Sequence, residues 1–304
     1  MLKDIFMKQK VMNRVLYALI PIIIYAVFRF GWRVIAVIAV TNIFSVIMEY
    51  LFVRGQKPGK ISGAVWVTGT LLALILPSTI PLWMAAVGAV VAISLGKMVF
   101  GGFGMNPFNP ALVGRIFLFI SFPRHMGTQW SQPFVRLPGG FGSWTNPEAL
   151  TAATRITEMS DKGVSGLGDL FLGNIPGCIG EISSLLIIIS ALYLVFTKTA
   201  KWQPMIGGIA SFILFSFIFY GTNPLYFLFA GGVMFGMVFM ITDPVSMPKH
   251  KTVIWINSIL VGLLTVIIRK FSSFPEGFMF ALLLGNTFSP IIEYAFNRRS
   301  GKNK

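Results

Sequence analysis

Runs of about 20 apolar residues recur from near residue 11 to residue 296, and they decide what this chain can fold into. An α-helix rises about 1.5 Å per residue, so each run is long enough to cross the ~30 Å hydrocarbon layer of a bilayer. Only 12% of the 304 residues are charged and 55% are hydrophobic. Mean hydropathy is +0.76. Soluble domains carry about 25% charged residues, so the chain reads as an integral membrane protein. The first run lacks a small-residue cleavage site and another run follows directly, which argues against a removed signal peptide.

The formal net charge is +15. In a soluble protein that excess would suggest nucleic acid. Here the basic residues sit in short loops and tails, where they set topology, and no nucleic-acid partner is expected. The single cysteine, Cys178, excludes an intramolecular disulfide. It also excludes an iron–sulfur cluster held by this chain alone, which needs about four thiolates. The two histidines, His125 and His250, fall in loops assigned to opposite sides, against a bis-histidine haem. Redox chemistry here would need an organic cofactor.

One stretch departs from a plain spanning helix. Residues 101–123 read GGFGMNPFNPALVGRIFLFISFP. Glycines are followed by two Asn-Pro units, Asn106-Pro107 and Asn109-Pro110, and then by an apolar helix with one charge, Arg115. Proline has no N–H to donate and clashes with the preceding turn, and the residue before it leaves the helical region. Within lipid, broken backbone persists only where protein or a polar cavity satisfies it. The stretch therefore reads as a broken helix lining a site inside the membrane.

Taken in order, the chain divides into a basic cytoplasmic tail (residues 1–14), a first transmembrane repeat (15–122), an extracytoplasmic loop (123–178), a second transmembrane repeat (179–297) and a basic cytoplasmic tail (298–304). The expected architecture is an all-α polytopic membrane protein. It has about ten transmembrane helices in two inverted five-helix repeats with broken helices, and both termini are cytoplasmic. Spans are expected near 15–30, 34–53, 62–76, 82–100 and 106–122. In the second half they fall near 179–196, 205–220, 225–241, 252–268 and 277–296. Basic loops at 54–60, 198–201 and 249–251 fall inside, while Arg269 and Lys270 fall outside. The repeat rests on two matched pairs. Leu76-Pro77-Ser78 precedes a span and the segment 106–110, and Thr242-Asp243-Pro244 precedes a span and the segment 286–290, NTFSP. Inverted repeats place a site near the bilayer midplane at the helix breaks, here 106–110 and 286–290.

Few residues carry obvious chemistry. Arg115 is a charge inside a membrane helix, by default a site residue with a partner. Its forked guanidinium suits phosphate or carboxylate. The alternatives are a structural pair with Glu49 or Glu293, or snorkelling to the surface. Glu49 and Glu293 end similar segments, and each either binds a cation or forms a boundary salt bridge. Asp243 either coordinates an ion or caps a helix. Glycines 101, 102 and 104 lack the strand–helix context of a dinucleotide fingerprint. The outer loop contains Thr151-Ala152-Ala153-Thr154, unremarkable alone, although a hydroxyl among small neighbours is what an enzyme needs to esterify a side chain.

The 101–123 stretch closely resembles the signature of the membrane subunits shared by the Rnf complex and the sodium-pumping NADH:quinone oxidoreductase. The segments 240–244 (MITDP) and 276–281 (EGFMFA), continuing to Glu293, are similar to later family segments in the same order. Without a long N-terminal extension, the chain is most similar to the D subunit of an Rnf complex. The resemblance implies FMN bound through a phosphoester to Thr154, with Thr151 and Ala153 in the attachment motif. Ala152 stands where that motif carries glycine. It further implies a flavin transferase, other Rnf-type subunits and membrane lipid as partners, and a second, non-covalent flavin (riboflavin) by analogy. Asn106, Asn109 and Arg115 would surround a flavin or an ion path. Electrons would pass between ferredoxin and NAD through other subunits, coupled to Na+ or H+ translocation across the cytoplasmic membrane. The competing class is a solute transporter or channel of urea-channel-like fold without a cofactor. A bare structural scaffold is the third.

Overall fold

A computed structural model of the chain describes residues 6–55, 59–127, 129–136, 138–145, 149–151, 166–272 and 277–299. Among these residues the regular structure is helical, apart from one pair of three-residue antiparallel strands. Six helical segments are long and apolar enough to cross a membrane. Five are α1 (Lys10–Phe30), α2 (Arg33–Val53), α9 (Trp202–Tyr220), α12 (Lys251–Phe271) and α13 (Phe278–Arg299). The sixth, Leu82–Phe100, consists of α4 (Leu82–Ser94) and a 3-10 turn at Met98–Phe100. Shorter apolar helices are α3 (Ala64–Leu74), α5 (Pro110–Ser121) and α8 (Ser184–Phe196). At about 1.5 Å per residue, α3 reaches only about half-way across a bilayer.

In the first half α2 packs on α3 and α4, and α4 on α5; in the second, α9 packs on α12 and α12 on α13. α1 lies along α8, with Ser190 Oγ donating to the Ala18 carbonyl (2.8 Å). Small residues let helices close up. A Cβ on Gly114 would lie 2.5 Å from the Gly88 carbonyl, so α4 and α5 touch backbone to backbone.

Two helix breaks organise the interior. After α3 the chain runs irregularly through Pro77 to Pro81. Arg33 meets it, donating from Nε to Ser78 O (3.0 Å) and from Nη2 to Ile80 O (2.7 Å). The second break lies inside 225–241, expected from hydropathy to be one span. That segment is two short helices, α10 (Pro224–Phe229) and α11 (Val233–Phe239), parted at Gly231, whose φ is +70°. Arg269 fills the gap, donating to Phe227 O (2.8 Å) and Ala230 O (3.2 Å). In both places a guanidinium fork satisfies carbonyls that a helix would have paired internally. The break expected at 286–290 does not occur, because α13 continues through Pro290. A proline removes one N–H, and turns on both sides carry the helix through.

The two ends of the bundle differ. At one end the strand-like contact Phe6–Ile61, the bond from Arg14 to Thr197 O and the capping of Lys249 and His250 N–H by Glu293 gather the basic loops. At the other end sits the connection between α5 and α8. It holds α6 (Pro123–Gly127), the antiparallel strands β1 (Gln129–Ser131) and β2 (Ala149–Thr151), and α7 (Leu167–Leu172).

Candidate functional site

A cavity of about 60 Å³ opens at the basic end, between both halves of the chain. It is lined by the start of α1, by α3, by Lys97, Phe103, Asn106 and Asn109, and by Thr242 and Asp243 after α11. α5 begins here because Asn109 caps it, accepting from Ala111 N–H (3.0 Å), with Pro110 as its first residue. Asn106 Nδ2 donates to Phe108 O (2.9 Å) and holds the preceding turn. The N-terminal end of α5, with the positive end of its dipole, thus faces the cavity.

Among the described residues, Lys97 is the cation of this wall. Its Nζ donates to Glu49 Oε2 (2.6 Å) and Ser62 Oγ (2.6 Å), while Glu49 Oε1 accepts from Ser62 N–H (2.8 Å). Across the cavity, Asp243 accepts from Val245 N–H (3.1 Å) and Ser246 Oγ (3.0 Å), capping its own turn. Burial pushes the Asp243 carboxyl above the usual carboxylate range, and these two bonds and the Lys97 charge work against that push.

The sequence-derived site residues separate into three places. Asn106 and Asn109 share the cavity wall. Arg115 lies deeper, beside a void of about 10 Å³ also lined by Glu181 and Gly232. Its Nη1 donates to Glu181 Oε1 (3.3 Å) and its Nη2 to Cys178 Sγ (3.2 Å). The charge partner is therefore Glu181, neither of the two acids considered from sequence. Thr151 stands in β2 opposite Gln129, at the far end of the bundle. Ala153 and Thr154 lie outside the described residues. Glu49 pairs with Lys97 inside the bundle, not with a boundary cation. Glu293 caps the start of α12.

Sequence reasoning passed over Lys97 and Glu181. A lone lysine inside the apolar stretch 82–100 was the available signal for the first. None marked the second, since Glu181 follows a glycine-rich loop. Among the described residues there is no cluster of His, Cys, Asp and Glu suited to a metal ion.

The fold and cavity define a multi-span helical membrane protein with a largely apolar cleft that carries a few polar side chains. The profile of the NQR2, RnfD, RnfE family matches residues 3–302, and the chain belongs to that family. The B subunit of the Na(+)-translocating NADH-quinone reductase of Haemophilus influenzae (strain PittEE) is 38% identical over 272 residues, covering 82% of this chain and 62% of that protein. The B subunits of the same reductase in Ectopseudomonas mendocina (strain ymp) and Azotobacter vinelandii (strain DJ) are 38% and 39% identical. They cover 85% and 84% of this chain, each over 65% of its own length. The chain thus spans less than two thirds of the relatives it matches.

Proposed function

We propose that the chain is the flavin-carrying membrane subunit of an ion-translocating electron-transport complex of the Rnf type. Family membership is the observation that carries this reading. The relatives named above are sodium-translocating quinone reductase subunits, which favours redox-coupled ion movement over a cofactor-free channel. FMN would be carried as a phosphoester on Thr154, installed by a flavin transferase, with Thr151 and Ala153 in the recognition motif. Thr154 supplies the hydroxyl that a phosphoester requires. When bound, the flavin supplies the one- and two-electron chemistry. The chain's own part is to hold the outer loop on the bundle and to keep the core dry. The chain alone is not a complete enzyme: electrons would enter from ferredoxin and leave to NAD through partner subunits.

The basic loops gathered at one end favour cytoplasmic termini in a bacterial or archaeal inner membrane, with the 123–178 loop outside. Ten crossings in two inverted repeats are supported by the matched packing of α2, α4, α5 and α9, α12, α13. The six long segments would be joined by four interrupted crossings, built on α3, α5, α8 and the α10–α11 pair. Asn106, Asn109 and Lys97 put polar groups into the largely apolar wall of this cleft, at the end proposed as the cytoplasmic mouth of an ion path. At about 60 Å³ the cleft is small beside the ~300–1,000 Å³ of ordinary ligand pockets, so it does not hold a second flavin as it stands.

The test is in-gel flavin fluorescence of the denatured subunit from cells that express a flavin transferase, beside Thr154→Val. A bright wild-type band that vanishes in the variant is expected. A dark wild-type band next to a fluorescent control relative overturns the attachment, and solute flux through the cleft then becomes the measurement to make.

A further inference from the structure

The Arg115–Glu181 pair lies where the two interrupted regions of the fold meet. Arg115 comes from α5 in the first half. Glu181 comes from the segment leading into α8 in the second. That segment is stitched to the end of α3, with Ile179 N–H donating to Leu76 O (3.0 Å) and Gly180 N–H to Leu74 O (2.6 Å). Pro77 and Cys178 form an isolated antiparallel bridge between the same two stretches of chain. Glu181 also faces the other break: a Cβ on Gly232, beside Gly231, would collide with its carboxylate. One ion pair therefore touches the α3 break through segment 178–181 and the α10–α11 break through Gly232.

Such a pair is a poor way to gain stability. Desolvating two charges offsets most of their attraction, and well-packed apolar residues often do as well or better. The best-attested use of a buried polar pair is to select one arrangement over another. The adjoining void of about 10 Å³ is at the lower limit for one water, which would bridge the charges as they part.

We propose that Arg115–Glu181 is a latch between the two halves, closed in this structure, whose opening frees segment 178–181 from α3. The opening would be the conformational step that passes an ion between the inner cleft and the outer face. Only that last use rests on the function proposed above.

The chain supplies its own reporter. Cys178 is its single cysteine, it is fully buried, and it accepts from Arg115. The experiment measures labelling of Cys178 by a small membrane-permeant methanethiosulfonate, read as the mass of the full-length chain in membranes. Wild type should label slowly, and Glu181→Gln at least about tenfold faster, because the charge attraction that closes the latch is then lost. Wild-type labelling rates in Glu181→Gln, with an unchanged unfolding midpoint, overturn the proposal. Where the midpoint falls, the double variant Arg115→Met/Glu181→Leu decides, since it restores packing without charge. A latch predicts a double variant with a recovered midpoint that labels no faster than wild type. A double variant with a recovered midpoint that labels as fast as Glu181→Gln overturns the proposal. Labelling requires no flavin, so absence of flavin would sink the proposed function and leave this result standing.

Discussion

Lys97 Nζ lies 2.6 Å from Glu49 Oε2, and both side chains are 2% exposed. The pair joins the turn after α4 to the end of α2, and Ser62 bonds to both partners. Removing one member strands the other charge away from water. Lys97→Met and Glu49→Gln should each destabilise the chain by about 3–5 kcal/mol. The double variant Lys97→Met/Glu49→Leu should cost far less than the sum, because no charge is stranded. Unfolding of the purified chain in detergent, read as a double-mutant cycle, measures this. Additive effects would mean the two residues act independently.

Arg269 makes a second prediction at the α10–α11 break. Its guanidinium accounts for the carbonyls of Phe227 and Ala230, and it lies over the Phe212 ring at 5.5 Å. Arg269→Met should leave two buried acceptors without this donor, at about 1–3 kcal/mol each. Arg269→Lys should rescue little, since a single ammonium lacks the fork that reaches both. A lysine variant as stable as wild type would show that charge alone matters there.

The α4–α5 contact gives a contrast between two glycines. A Cβ at Gly114 meets the Gly88 carbonyl at 2.5 Å and the Ala92 Cβ at 2.9 Å. A Cβ at Gly88 meets the end of the Leu118 side chain at 2.6 Å. Backbone cannot step aside, whereas a leucine methyl can turn to another rotamer. Gly114→Ala should therefore lower the thermal midpoint markedly, and Gly88→Ala much less. Equal losses would contradict the backbone contact.

Hydropathy made the long helices legible, because a span announces itself in composition. Local chemistry made the start of α5 legible, since Asn109-Pro110 is both a cap and a first turn. The break at Gly231 stayed hidden inside an apolar run, where residue hydrophobicity says nothing about φ. Pro290 misled in the other direction, because a helix held by neighbours can carry a proline. The partner of Arg115 could not be read at all. Glu181 lies 66 residues away, beyond the α5–α8 connection, and the stitching of 178–181 to α3 brings it near.

The connection between α5 and α8 supplies the last prediction. Arg29, at the end of α1, holds both of its feet. Nη1 donates to Phe134 O (2.7 Å), and Nη2 donates to Asn174 Oδ1 (2.6 Å) and Tyr25 Oη (2.5 Å). Tyr25 in turn donates to Leu172 O (2.8 Å). Residues 134 and 174 flank the stretch that contains Thr154, so one side chain anchors both ends of the proposed flavin loop. Each charge-assisted bond contributes about 1.5–3 kcal/mol. Losing two of them should raise the population of the undocked loop by about tenfold or more. Trypsin cleavage after the exposed Arg136, two residues beyond the anchored Phe134, should accelerate by that factor in Arg29→Met. Arg29→Lys should lie between the two, keeping the charge and one bond. Cleavage at the wild-type rate in Arg29→Met would assign the docking to other contacts, such as Trp32 Nε1 on Phe141 O and the paired backbone at Ser143 and Trp144.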